Sequence, residues 1–337
     1  HQVSVCDLAP SGHVRADGNH LGAVRGGAPH PHAQQRTSDD EQQRDESADD
    51  GAAAQLGLDL EIIDVFDAYV PIVLDPMFGY GSGMNPCADC RIFLLRTARR
   101  WMIEHGYDFV FTGEVIGQRP KSQMRPTLRT VERESGLEGL LLRPLSAKLL
   151  APTIPERNSW VDRERLYGIS GRGRKAQIAL AEELGIEEYA QPSGGCCYLI
   201  DQTYARRLRD MLTHEGREFL TRTHVQLLAV GRHLRLPSGV KVVVGRHERE
   251  NDFIDGCCDV EGVWLRTPEH PGPSALLLGV ADESSILLAA QITAGYSDGR
   301  SEPEVTVDMR RHCDVSHPVN RLTVTPAGLE VPRAMMV

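Results

Sequence analysis

Asn85-Pro86-Cys87-Ala88-Asp89-Cys90 is where residue type and spacing speak most directly to chemistry. A C-x-x-C at the opening of a helix puts both sulfurs on one face of the first turn. Unpaired backbone N–H groups and the positive end of the helix dipole favour the thiolate there, and a thiolate is both nucleophile and metal ligand. Three chemistries fit Cys87 and Cys90: a redox dithiol, half of a zinc site, or two of three ligands for an iron–sulfur cluster. Pro192-Ser193-Gly194-Gly195-Cys196-Cys197 offers a third sulfur, Cys196, on a turn that two glycines allow to be tight. Cys197, Cys257, Cys258 and Cys313 read as buried structural cysteines. Between these motifs lies Phe111-Thr112-Gly113-Glu114-Val115-Ile116-Gly117-Gln118-Arg119-Pro120-Lys121-Ser122-Gln123. It is a polar, glycine-punctuated loop at the C-terminal end of an expected strand, where open α/β sheets bind ligands. Arg119 and Lys121 suit phosphate, and Gln118 and Gln123 suit a base or ribose.

These residues need elements to hold them. Leu60 to Val65 reads as a strand, and apolar residues at three- and four-residue spacing (Leu94, Leu95, Ala98, Trp101, Met102) predict a helix from about Ala88 to His105. Tyr107 to Thr112 reads as a second strand, and strand, helix, strand in this order implies a parallel α/β unit. Further helices are expected at Arg174 to Leu184 and Gln202 to Leu212. Two apolar runs flank Pro237-Ser238-Gly239 within residues 227–250, which is a β-hairpin signal. Strand-like runs at 275–280 and 304–309 and a helix at 284–294 follow. Residues 1–53 are rich in His, Gly, Gln, Asp and Ser without periodicity and read as disordered. The expected organisation is therefore a disordered segment 1–53, an α/β domain 54–215 and a smaller β-rich or α+β region 216–337.

A chain of 337 residues with 41% hydrophobic content can bury a sizeable core. No run of eighteen apolar residues occurs and no secretory layout opens the sequence, so a cytoplasmic protein without a membrane partner is expected. Eight cysteines, including two adjacent pairs, suit thiolate or metal chemistry in a reducing compartment better than a disulfide framework. The net charge of −10 disfavours nucleic acid at first sight, but residues 61–250 carry 27 basic and 24 acidic side chains and are mildly positive.

The motif NPCADC, the loop FTGEVIGQRPKSQ, the stretch RPLSAKLLAPTIPE, the segment WVDRERLYGISGRGRKAQ and the SGGC turn together resemble the PP-loop ATPase tRNA thiolases over roughly residues 56–250. The resemblance implies a doubly wound parallel α/β sheet of the adenine nucleotide alpha hydrolase type. It implies a transferase that uses ATP and Mg2+ to adenylate a uridine carbonyl oxygen of tRNA, sulfur then displacing AMP. Cys87, Cys90 and Cys196 would handle sulfur or hold a [4Fe-4S] cluster, fed by a persulfide carrier or sulfide. Gly113, Glu114, Gln118, Arg119 and Lys121 would line the nucleotide pocket. A homodimer is compatible with it. The family's pyrophosphate-binding Ser-Gly-Gly-x-Asp-Ser loop is not found upstream of residue 56, and Pro10-Ser11-Gly12-His13 does not replace it. Two readings therefore stay open: an ATP-dependent tRNA sulfurtransferase, and a non-catalytic iron–sulfur or RNA-binding protein that keeps the shell and the cysteines.

Arg163, Arg165, Arg172, Arg174 and Lys175 form a basic cluster suited to an RNA backbone, because phosphate contacts dominate affinity and need no particular sequence. Arg232, His233, Arg235, Lys241, Arg246 and His247 on the hairpin are a second candidate surface.

Overall fold

The computed structural model describes residues 2–5, 13–18, 55–56, 59–187, 197–311 and 319–337. The chain divides into two compact units, His1–Asp201 and Gln202–Val337. The helix at Gln202, expected in the first domain, thus groups with the second unit.

The first unit is built on a five-stranded sheet of β1 (Gln2–Val5), β2 (His13–Gly18), β3 (Asp59–Asp64), β4 (Phe109–Thr112) and β5 (Leu141–Leu142). Its order is β3-β2-β1-β4-β5. Strands β1, β4 and β5 run parallel, whereas β2 and β3 join antiparallel. The sheet is mixed, not the doubly wound parallel sheet expected. The reason lies in one pairing: β3, expected to sit parallel to β4 across a helical crossover, instead pairs residue by residue with β2. Residues 1–53, expected to be disordered, contribute β1 and β2.

Helices α1 (Phe66–Leu74), α2 (Cys87–Glu104), α3 (Arg125–Ser135), the single turn α4 (Ile154–Arg157) and α5 (Lys175–Leu184) complete the unit. Ile92, Leu94, Leu95, Ala98 and Met102 of α2 meet Val110, Val131, Leu137 and Leu141, as the helical spacing requires. Gly136 ends α3 with φ of 71°, and the Arg99 guanidinium of α2 donates to its carbonyl at 3.0 Å, so the two helices are tied at that end.

The second unit contains α6 (Gln202–His214), α7 (Arg222–Leu227), β6 (Arg232–Arg235), β7 (Lys241–Val244), α8 (Glu248–Gly256), β8 (Gly262–Arg266), β9 (Ala275–Leu278), α9 (Glu283–Gly295), β10 (Val305–Arg310), β11 (Asn320–Val324) and α10 (Glu330–Ala334). Its six strands form one antiparallel sheet in the order β11-β10-β8-β9-β7-β6. The two-residue side-chain period sorts the core into two faces. Val242, Val244, Val263, Leu265, Ala275, Leu277, Val305 and Val307 pack against Ile286, Ala289, Ala290 and Ile292 of α9. On the opposite face Val243, Trp264 and Leu276 pack against Leu227 of α7 and Ile254 of α8. Among the described residues, no helix is long and apolar enough to cross a membrane.

Candidate nucleic-acid interface

Against the expectation of a cationic surface, the β6–β7 hairpin turns most of its charged groups inward. Register places Arg235 opposite Lys241 and His233 opposite Val243, so these four share the face that α6 covers. The Lys241 side chain is fully buried and donates to Asp210 Oδ2 at 2.8 Å and to the Arg207 carbonyl at 3.3 Å. Arg235 donates from Nε to Asp210 Oδ1 at 3.2 Å, from Nη2 to Glu215 Oε2 at 3.1 Å and from Nη1 to the Gly239 carbonyl at 2.7 Å. Burial alone would raise the Asp210 pKa; the hydrogen bonds from Arg235 and Lys241 outweigh it and hold the carboxyl below its ordinary value. Lys241 is pushed down by burial despite its Asp210 partner. His233 Nε2 lies 2.9 Å from the Val230 carbonyl and 3.1 Å from that of Leu227, so it carries the proton it donates there. Burial, followed by the charges of Arg207 and Lys241, drives its pKa well below the ordinary value. Arg246 closes on the buried Glu250 carboxylate, with Nε 2.9 Å from Oε1. Arg232 lies 4.8 Å over the Tyr296 ring and donates to the Gly245 carbonyl. Of the six hairpin residues, Arg246 and His247 keep exposed side chains, at 47% and 48%, both with Glu250 beside them.

The surface that is available lies at the other end of the sheet. Val305, Val307 and Met309 of β10 are buried against α9, and the intervening Thr306, Asp308 and Arg310 point to the opposite face. Asp308 pairs with Arg266 of β8 and Arg321 of β11, Arg310 with Trp264, and Thr306 with Thr323. One sheet face therefore carries Arg266, Arg310, Arg321, Thr306 and Thr323 in adjacent rows. Arg266, Arg321 and Thr323 are exposed, and Arg311 is exposed just beyond the strand. Helices α7 and α8 cover this face over β7, β8 and β9, where Trp264 donates from its indole to the Ile254 carbonyl at 3.0 Å. Among the described residues, the ion pairs on the open part are Asp308 with Arg321, 3.1 Å from its Nε, and Asp255 with Arg310 at 3.9 Å.

Residues 231–330 match the family model of the NFACT protein RNA binding domain. The matched span begins one residue before β6, ends at the start of α10 and contains the whole six-stranded sheet. This match corrects the resemblance to PP-loop ATPase tRNA thiolases: the family that answers to the sequence is an RNA-binding one, and it answers in the second unit. A solved structure, the C-terminal part of the fibronectin/fibrinogen-binding protein from Streptococcus suis, is similar at 20% identity over 48% of this chain and 73% of that one, with a TM-score of 0.29. No curated protein matches the sequence. Sequence reasoning missed Arg266, Arg310 and Arg321. The signal was the strict alternation in Val305-Thr-Val-Asp-Met-Arg310, which assigns the polar residues to one face.

In the first unit, Cys87 is the first residue of α2, and neither it nor Cys90 is disulfide-bonded. The Met84 N–H donates to the Leu199 carbonyl at 2.9 Å, so the segment just after the expected third cysteine reaches the loop that enters α2. Cys196 itself lies outside the described residues. Cys257 is buried, as expected of a structural thiol, whereas Cys258 is exposed and disulfide-bonded, against that expectation. Among the described residues, no group of three or more His, Cys, Asp or Glu side chains gathers that could hold a metal ion. Gly113 is exposed. Glu114 is buried between Arg143, 2.8 Å away, and Arg91, 3.1 Å away, so its charge is neutralised inside the unit. Gln118 bonds Gln177 of α5, and the Arg119 N–H donates to Gln123 Oε1 at 3.1 Å. Lys121 has φ of 72°, and its side chain lies where a Cβ added at Gly81, in the loop before Cys87, would meet it at 3.7 Å. Of the basic cluster, Arg163 is a brace: it pairs with Glu156 and donates to the carbonyls of Ala147 and Leu150 at 2.9 and 3.0 Å. Arg165, Arg172 and Lys175 are exposed and Arg174 is half-buried.

Proposed function

We propose that the protein binds RNA through its C-terminal unit, on the open face of the sheet at β8, β10 and β11. The observation that carries this reading is one sheet face that carries Arg266 and Arg321 on either side of Asp308, with Arg310 in the neighbouring row, within the span that matches an RNA-binding family. Arginine forks suit phosphate oxygens bidentately, and the neighbouring Thr306 and Thr323 hydroxyls can donate to the same backbone. The reading assigns no catalytic step. The expectations of ATP, Mg2+, a [4Fe-4S] cluster and a sulfur donor came with the thiolase resemblance and play no part in it.

The test is fluorescence anisotropy of labelled RNA titrated with the full chain between about 50 and 200 mM salt. Three arginine contacts to a single strand predict a slope of log K on log salt of about −2, at roughly −0.7 per phosphate. Arg266→Ala with Arg321→Ala should flatten that slope to about −0.7 and weaken RNA of any sequence alike. A double variant with wild-type affinity and slope would refute this surface.

A further inference from the structure

Residues 143–175 of the first unit carry eight basic and three acidic side chains in a chain whose net charge is −10. Five of the basic residues are exposed, Lys148, Arg157, Arg165, Arg172 and Lys175, against two of the acids, Asp162 and Glu164, so a positive excess remains at the surface. Glu156 is turned inward onto Arg163 and Thr153, Asp162 accepts from the Glu164 N–H, and Glu164 lies beside Lys148. What remains outside includes Arg157, Arg165, Arg172 and Lys175. Two large aromatic rings are exposed among them, Trp160 at 51% and Tyr167 at 37%. Neither is a stray side chain on a loose loop. Ser159, with φ of 59°, turns the backbone ahead of Trp160, whose N–H donates to the Pro155 carbonyl at 2.8 Å, and one side of the indole is held against Phe109 with ring centroids 6.5 Å apart. Tyr167 is fixed by two backbone bonds, from its N–H to the Pro144 carbonyl and from the Lys148 N–H to its own carbonyl. The Arg163 brace to Ala147 and Leu150 ties the intervening segment to the same stretch.

Exposed aromatic faces interleaved with cations are what unpaired nucleic acid requires: bases stack on the rings, every base having a π-face, while arginine and lysine follow the phosphates. A duplex keeps its bases stacked on one another and offers no such faces. We infer that the first unit carries a second RNA-contact surface, specific for unpaired RNA, in which bases stack on Trp160 and Tyr167 and the backbone is held by Arg157, Arg165, Arg172 and Lys175. This rests on the reading of the protein as an RNA binder but not on the sheet face of the second unit.

The experiment titrates the full chain with a 12-nucleotide oligouridine and with an RNA duplex of equal length, following both anisotropy and tryptophan emission. Of the three tryptophans, Trp264 is buried and Trp101 is half-buried, so Trp160 is the one on which a base can stack. Oligouridine should quench the emission, the quench should vanish in Trp160→Phe with affinity kept within about three-fold, and Trp160→Ala should weaken binding about ten-fold, as loss of one stacked base does. The Trp160→Phe variant preserves the contact with Phe109, so its result is independent of any unfolding in the alanine variant. Oligouridine binding that neither quenches emission nor responds to Trp160→Ala, yet is lost in Arg266→Ala with Arg321→Ala, overturns the second surface and leaves the first. Equal binding of the duplex with the same dependence on Trp160 overturns the preference for unpaired RNA. Absence of RNA binding by the wild-type chain overturns both.

Discussion

Replacing Asp210 with alanine removes the acceptor on which the buried end of the β6–β7 hairpin depends. The Lys241 side chain has no exposed surface, and its ammonium has two partners, Asp210 at 2.8 Å and the Arg207 carbonyl at 3.3 Å. After the substitution only the longer bond remains. Arg235 is less affected, because Glu215 and the Gly239 carbonyl still accept from it. Breaking a buried pair from one side costs about 3–5 kcal/mol, mostly because a charge is left buried without compensation. With one orphaned ammonium and one retained carbonyl, the lower figure applies, about 3 kcal/mol, which for a unit of this size lowers Tm by roughly 10 °C. The assay is thermal and urea unfolding followed by Trp264, in a background where Trp101 and Trp160 are phenylalanine. If the cost is that of an uncompensated charge, adding Lys241→Met to Asp210→Ala should recover most of it. An Asp210→Ala midpoint within about 1 kcal/mol of the parent, or a double variant no better than the single, would refute the placement of the hairpin's cations as structural.

The remaining predictions concern buried titratable groups. His233 has a folded pKa well below its ordinary 6.5, through burial first and the charges of Arg207 and Lys241 second. The native state therefore refuses a proton that the unfolded chain accepts. Stability is complete above the unfolded pKa and declines as pH falls below it, by up to about 1.4 kcal/mol per pH unit for this one group. His224, also lowered by burial, adds to the same limb. His233→Gln should flatten that slope between about pH 6.5 and the onset of acid unfolding, and an unchanged slope would show that His233 is not the group responsible. In the first unit, Glu114→Gln replaces the buried carboxylate beside Arg91 and Arg143 with a neutral amide, and although Arg143 keeps its Glu132 partner a loss of about 3 kcal/mol is expected. Hydrogen exchange of the β4 and α3 amides would report it; protection equal to wild type would contradict the buried pairing.

Element type was legible where periodicity was long. The helix expected from about Ala88 to His105 forms over Cys87–Glu104, that at 284–294 over Glu283–Gly295, and the hairpin around Pro237-Ser238-Gly239 is present. Strand partners were not legible. The pattern of Leu60 to Val65 states that a strand exists, but nothing in it distinguishes a parallel neighbour at β4 from the antiparallel one it takes at β2. The hairpin cations misled for a related reason. Arg235 and Lys241 look like surface charge in one dimension, and only the packing of α6, which brings Asp210 and Glu215 over them, makes them interior. The neutralising acids lie twenty or more residues upstream of Arg235 and Lys241, beyond the reach of any local pattern.

Between residues 231 and 330 the chain carries ten basic and fifteen acidic side chains, a poor balance for a surface that binds a polyanion. What matters is which charges a phosphate meets within one Debye length, about 8 Å at physiological salt. Four of the ten cations are spent internally or on immediate partners: Arg235 and Lys241 with Asp210, Arg246 with Glu250, and Arg232 over Tyr296. Arg266, Arg310 and Arg321 share a sheet face where the facing acids are Asp308 and Asp255, and Asp308 already has Arg321 against it. In the proposed interface a phosphate would displace two carboxylates, Asp308 from Arg321 and the more distant Asp255 from Arg310, and meet the guanidinium groups of Arg266, Arg310 and Arg321, while acids such as Glu283 at the start of α9 stand on a helix packed against the other face. On the proposed reading, the acidic total limits how tightly and how indiscriminately the unit holds nucleic acid, and the arginines of this face determine where contact is made.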